Sequence, residues 1–147
     1  MAVFAFDVVA ANGDWALHCS LGVYERFAEW VALLARSNDV LLVRENALAL
    51  PRPRSLEVRG PGLWADVHRH AHDRWQVNFE GITLALDPAD VARNEVGDLV
   101  PVEFEFEWEA TGATRGSVQP CMVDGEVQIG EQRLALAEPV PGYWVHS

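Results

Sequence analysis

The sequence predicts an all-β, mainly antiparallel domain, built as a barrel or a sandwich, with one short helix near residues 88–94. The clearest sign is the segment 101–109, where apolar residues alternate strictly with glutamates: Val102, Phe104, Phe106 and Trp108 against Glu103, Glu105, Glu107 and Glu109. This period of two is typical of a strand with one buried face and one solvated face. Turn residues about every 8–12 positions favour many short antiparallel strands over a parallel α/β sheet.

The first third of the chain opens with a predicted hairpin. Residues 3–9 and 15–21 flank Asn12-Gly13, a pair that tolerates the positive φ of tight turns. The segment 25–37 is ambiguous, because a helical stripe fits its large side chains before a strand-like run begins at residue 40: Phe27, Trp30, Val31 and Leu34.

The remaining elements are short strands and one helix. Pro51 and Pro53 mark a connector, and strands are expected over 55–59, 63–70 and 74–86. Asp87-Pro88-Ala89-Asp90 has an N-cap acid followed by proline, which favours the short helix. Strands are then expected over 118–123, 126–129 and 132–137, with Pro120 indicating a sheet edge and Asp124-Gly125 a turn.

Composition excludes several function classes. The 147 residues fit one domain, and the net charge of -11 makes nucleic acids poor partners. Because the chain has no lysine, a Schiff-base lysine and a P-loop are excluded. Two distant cysteines, no basic leader and no apolar run near a membrane span's length predict a cytoplasmic protein without a membrane span. No sequence motif calls for a cofactor.

Several short motifs give the chain a family resemblance, from Gly62-Leu63-Trp64-Ala65-Asp66 and Arg74-Trp75 through Gly97-Asp98 to the terminal 142–147. In this order they resemble the lipocalin-like, calycin-type proteins related to hydroxyneurosporene synthase, a carotenoid 1,2-hydratase. The resemblance implies an antiparallel calyx for isoprenoid or other lipid-like ligands. Such proteins usually carry two calycin-like halves, so residues 1–147 would form one domain and possibly one half. The family's acid before the terminal His-Ser is absent here, since Trp144-Val145 precede His146.

The leading functional hypothesis is the binding of a hydrophobic small molecule in an aromatic-lined cavity. Six tryptophans exceed what a core of this size needs. The resemblance favours three of them, and the strand 101–109 adds its apolar face, so the candidate ligand-binding residues are Trp64, Trp75, Phe104, Phe106 and Trp108.

An enzymatic alternative uses the same cavity for acid-catalysed hydration, cyclisation or isomerisation of the ligand. It needs a carboxylate facing inward, and the candidates are Glu80 and Asp66. A regular strand would turn Glu80 outward, whereas a β-bulge at Gly81 would turn it inward, where burial would raise its pKa. A third alternative is a structural module that pairs with another domain or forms a homodimer.

The run His68, His70, His72 would place three imidazoles on one strand face. Two of them could converge on zinc, but three from one strand rarely can, and no spacing argues for His18 as a further ligand. The sequence therefore favours an idle polar strand end over a metal site.

Overall fold

The computed structural model describes residues 1–87 and 97–147, and all regular elements in these ranges are strands. Their bounds are β1 Ala2–Val9, β2 Trp15–Val23, β3 Ala28–Arg36, β4 Val40–Leu48, β5 Glu57–Gly60, β6 Leu63–Ala71, β7 Arg74–Leu86, β8 Leu99–Ala110, β9 Val118–Ile129, β10 Gln132–Ala135 and β11 Val140–His146. The helix predicted over 88–94 lies outside the described residues.

The strands form one antiparallel sheet that closes on itself. Neighbours follow the order β9-β11-β1-β2-β3-β4-β7, and β8 joins β7 back to β9, so hydrogen bonds run through a barrel-like ring of 8 strands. The hairpin β5–β6 branches from β7, and β10 extends from β9. The prediction of an all-β antiparallel fold is confirmed.

Side chains alternate between the interior of the ring and its outer face. In β8, Phe104, Phe106 and Trp108 point inward and are 5%, 1% and 0% exposed, while the glutamates between them point outward. This confirms the two faces expected for 101–109. A slip of one residue would bury the carboxylates, so the contrast between the faces fixes the register of β8.

The ambiguous segment 25–37 is a strand, so a helical stripe is the wrong interpretation. From Ala28 to Arg36 it pairs with β2 residue for residue, and on its other side it pairs with β4. Trp30, Ala32 and Leu34 face inward at 0%, 4% and 3% exposure. The outward side chains Val31 and Leu33 are also apolar, which hides the alternation in the sequence.

The turn predicted at Asp124-Gly125 is also wrong, because β9 runs through it without a break. Gly125 has φ of +149° and pairs with Phe106. A Cβ there would lie 2.2 Å from the Glu105 carbonyl oxygen, so the glycine permits a close approach of two strands rather than a reversal.

Pro120 does not make β9 an edge strand, since β9 pairs with β11 on one side and, from Cys121 to Ile129, with β8 on the other. The carbonyl of Pro120 accepts a hydrogen bond from the Thr111 N–H at 2.9 Å, so the side of Pro120 that lacks a donor faces β8. The last β8–β9 pair is Ala110 with Cys121, and Pro120 lies just beyond it. The missing N–H therefore removes no bond from that ladder.

Candidate functional site

The interior holds a continuous cluster of aromatic rings. Contacts cross from one side of the ring to the other: Phe6 lies 5.0 Å from Trp108 and Trp15 lies 5.8 Å from Phe106, measured between ring centroids. Four of the five residues predicted to bind a ligand belong to this cluster, namely Trp75, Phe104, Phe106 and Trp108. All four are buried, Phe106 contacts both Phe104 and Trp108, and Trp75 lies directly opposite Trp108 in the β7–β8 ladder.

Within the cluster, the N–H group of the Trp108 indole, which lies between Phe6 and Phe106, is satisfied by the protein. Trp108 Nε1 donates to the backbone oxygen of Asp7 at 3.1 Å, across the interior from β8 to β1. Gly142 makes room for this contact, since a Cβ there would lie 2.5 Å from the same oxygen and 3.5 Å from Trp108 Nε1. The Trp108 N–H therefore needs no partner from a ligand.

At the end of the cluster next to Phe79, the N–H group of the Trp30 indole has no hydrogen-bond partner among the described residues. Trp30 on β3 is 0% exposed and stacks on Phe79 of β7, with ring centroids 5.8 Å apart and an interplanar angle of 18°. Its Nε1 is buried and has no hydrogen-bond partner among the described residues. A buried hydrogen-bond donor without a partner costs about 1–3 kcal/mol, so an acceptor that bonded to Trp30 Nε1 would remove this cost.

Glu45 shares the inner face with Trp30. The two residues are directly opposite in the antiparallel β3–β4 ladder, and such pairs lie on the same face of a sheet. Glu45 is half-buried, and no described side chain bonds to its carboxylate. The β3–β4 ladder therefore pairs a residue that has an unbonded donor with a residue that has an unbonded acceptor.

Trp30 and Glu45 lie near the shortest ladder of the ring, the one between β4 and β7. β4 pairs with β7 through only three residue pairs, from Val40–Leu86 to Leu42–Leu84. Beyond Leu42, β4 diverges from β7, and the hairpin β5–β6 fills the space. Leu48 at the end of β4 is buried and lies against Gly60 of that hairpin.

The signal for Glu45 was weak in the sequence. It stands in the polar triplet 44–46 after the apolar run 40–43, which resembles the end of a strand. The strand nevertheless continues to Leu48, and its regular pairing with β3 from Val40 to Glu45 places Glu45 in the same inward phase as Leu41 and Val43. Only the pairing with β3 reveals this.

The predicted residues Trp64, Glu80 and Asp66 lie together on the outer face instead. Gly81 pairs in regular register on both sides, with Leu63 and with Val102, and Glu80 points outward. The condition set for an enzyme in the interior, an inward Glu80 or Asp66, is not met, and Trp64 does not belong to the interior cluster. A catalytic role for the two acids stays a prediction.

An open outer groove of about 540 Å³ brings Trp64 beside Glu80 and Glu103. Glu80 and Glu103 are directly opposite each other on β7 and β8, and neither has an ion-pair partner among the described residues. The indole nitrogen of Trp64 is also buried without a partner. We call the outer face of β6, β7, β8 and β9 the acidic wall, after its carboxylates Asp66, Glu80, Glu103, Glu105, Glu107, Glu109, Asp124 and Glu126.

The histidine run does not form a metal site in the described residues, where no group of three or more His, Cys, Asp or Glu side chains could hold an ion. The rings of His68 and His70 are 4.7 Å apart on β6, and His70 Nε2 is hydrogen-bonded to Gln76 Oε1. His72 lies in the turn after β6 rather than on the strand.

Both cysteines are interior groups of low reactivity. Cys19 and Cys121 are free thiols, 0% and 2% exposed. Burial raises the pKa of Cys19 well above its usual range and raises the pKa of Cys121 to about 12. Since the thiolate is the nucleophile, neither side chain is suited to nucleophilic chemistry at neutral pH.

No family model, curated protein or solved structure matches this chain. None of its described segments is a helix long and apolar enough to cross a membrane.

Proposed function

We propose that this protein binds a hydrophobic small molecule inside the ring, at the end of the aromatic cluster next to Trp30. The observation that carries the proposal is the buried indole N–H of Trp30, which has no acceptor among the described residues. The comparison with Trp108, whose N–H is satisfied across the interior, supports this choice of end. The resemblance to lipocalin-like proteins suggests a lipid or isoprenoid, and it remains a proposal.

The free groups define the polar part of the ligand. The N–H of Trp30 needs an acceptor, and the carboxylate of Glu45 accepts a donor. A hydroxyl group supplies both at one atom, so a hydrophobic alcohol fits better than a hydrocarbon. The apolar body of the ligand would lie against the ring of Phe79.

A fluorescence titration tests the proposal, using long-chain alcohols, fatty acids and polyenes as probes. Trp30→Phe keeps an aromatic ring but removes the N–H, so the affinity for a long-chain alcohol should fall roughly tenfold, as expected for about 1.4 kcal/mol. Trp64→Phe on the outer groove is the matched control and should leave the affinity unchanged.

Two outcomes would count against the proposal. No change in tryptophan emission across the whole panel would argue against a binding cavity. If Trp64→Phe weakened binding and Trp30→Phe did not, the ligand would belong to the outer groove instead.

The acid-catalysed alternative has one observation in its favour, the inward phase of Glu45. In that case Glu45 would donate the proton that starts hydration, cyclisation or isomerisation of the bound ligand. Glu45→Gln separates the two functions. A binding protein would lose part of its preference for alcohols, whereas an enzyme would keep binding its substrate and form no product.

A further inference from the structure

The outer face of β11, β1, β2, β3 and the first half of β4 is apolar, and we call it the apolar wall. One row of outward residues crosses these strands in register, running from Tyr143 through Asp7, His18 and Leu33 to Leu42. The neighbouring outward positions are mostly alanine, valine or leucine. Val9 at the end of β1 and Tyr143 on β11 are 55% and 44% exposed, so two large side chains of this wall meet solvent.

The apolar wall is close to neutral although the protein carries a net charge of -11. Asp7 and His18 are bonded to each other, with 2.8 Å between Oδ1 and Nδ1. At the rim Glu29 is paired with Arg44 at 3.5 Å. The opposed carboxylates Glu80 and Glu103, which have no ion-pair partner among the described residues, lie on the acidic wall, on other strands of the ring.

We propose that the apolar wall is the interface of a homodimer, formed by a second copy of this chain related by a two-fold axis. A second copy brings an equally neutral apolar wall and leaves both acidic walls facing away from the contact. Separated charges of this kind are largely screened beyond about 10 Å at 0.1 M salt. A basic partner, by contrast, would be drawn to the acidic wall.

The size and shape of the wall fit this partner. Because the ring curves, a partner meets about three neighbouring strands at once, and strands about 4.8 Å apart and about eight residues long, at about 3.3 Å per residue, then give roughly 400 Å². Side-chain relief increases this area, which is in the range of a weak, reversible dimer. A groove of about 280 Å³ lies beside the exposed Val9 and Tyr143. One patch thus carries both a hollow and projections, as an isologous contact requires.

Sedimentation velocity over a concentration series tests the dimer. The wild-type protein should reach twice its 16.3 kDa mass at tens of micromolar. Leu33→Glu places a carboxylate in the interface of each copy and should raise the dissociation constant by at least about tenfold. The matched control is Ile82→Glu, since Ile82 is an outward residue of β7, 45% exposed and beside the acidic wall. This control should dimerise like the wild type.

Far-UV circular dichroism checks that the variants fold, and Val9→Glu replaces Leu33→Glu if the latter does not. A monomer at every concentration would overturn the proposal. So would a dimer that Leu33→Glu leaves intact or that Ile82→Glu dissociates. Co-sedimentation of monomeric protein with neutral phosphatidylcholine vesicles would overturn it in favour of a lipid surface.

Discussion

The apolar wall and the acidic wall are built from the same kind of strand but face different surroundings. On the acidic wall one outward row runs from Trp64 through Glu80 and Glu103 to Gln128. On the apolar wall the corresponding row is Tyr143, Asp7, His18 and Leu33. Inward, both walls contribute to one aromatic core. The difference between them therefore concerns what each wall meets outside, and not how the ring is held together.

The two walls manage their charges differently. On the apolar wall Asp7 and His18 form a pair of partly exposed groups. On the acidic wall Arg74 reaches Glu107 and Glu109 at 3.4 and 3.3 Å, yet Glu80 and Glu103 face each other without a cation among the described residues. Like charges in directly opposite positions destabilise a sheet, so repulsion between Glu80 and Glu103 destabilises the acidic wall.

The largest expected effect tests whether both walls depend equally on the shared core. Phe6 is on the inner side of β1, behind the apolar wall, and Phe106 is on the inner side of β8, behind the acidic wall. Each is 1% exposed. Phe6→Ala and Phe106→Ala should each lower the free energy of unfolding by about 3–5 kcal/mol. Urea denaturation followed by circular dichroism measures this loss, and Glu105→Ala, which points outward, serves as the control.

A marked difference between the stability losses of these two variants would show that the two sides of the ring do not depend equally on the core. A loss well below that range for Phe106→Ala would mean that the ring is already under-packed there, as beside a ligand cavity. If ligand affinity also dropped, the binding site would extend further along β8 than the proposal places it.

A smaller effect tests the repulsion between Glu80 and Glu103 on the acidic wall. Glu80→Gln removes one of two opposed carboxylates and should raise the free energy of unfolding by about 0.2–1 kcal/mol at low salt. The gain should shrink in 0.5 M sodium chloride because salt screens exposed charges. Glu25→Gln changes the net charge equally in the exposed turn after β2 and should have little effect. Equal gains from both variants would mean that only net charge matters.

The contrast between the walls also explains what the sequence could predict. The strand at 101–109 was predicted correctly because its outward residues are glutamates and its inward residues are aromatic. The segment 25–37 was ambiguous because it lies on the apolar wall, where Leu33 and Leu34 point in opposite directions but look alike in sequence. Periodicity finds a strand only where the two faces meet different environments.

The candidate site was predicted only in part, for a related reason. The inward orientation of Phe104, Phe106 and Trp108 followed from alternation alone. Trp64 stands in the outward phase of β6, which only its pairing with Glu80 makes clear. Glu45 was missed because the polar triplet 44–46 looks like the end of a strand, whereas its pairing with Trp30 continues β4 in regular register, and no local pattern encodes a contact between separate strands.

The smallest effect concerns the Asp7–His18 pair on the apolar wall. The hydrogen bond that His18 Nδ1 donates to the Asp7 carboxylate raises the pKa of His18 above 6.5, although burial partly opposes this. A raised folded-state pKa stabilises the fold fully below the unfolded value and loses that contribution as pH rises through the folded value. Wild type should therefore exceed Asp7→Asn in stability by about 0.2–1 kcal/mol near pH 6, and the gap should close in mildly alkaline solution. Thermal melts measure the gap, and an NMR titration of the His18 ring checks its cause. If the gap were independent of pH, the pair would act through packing rather than charge. If the gap grew with protein concentration, the pair would lie inside the proposed dimer interface, where removal from water strengthens it.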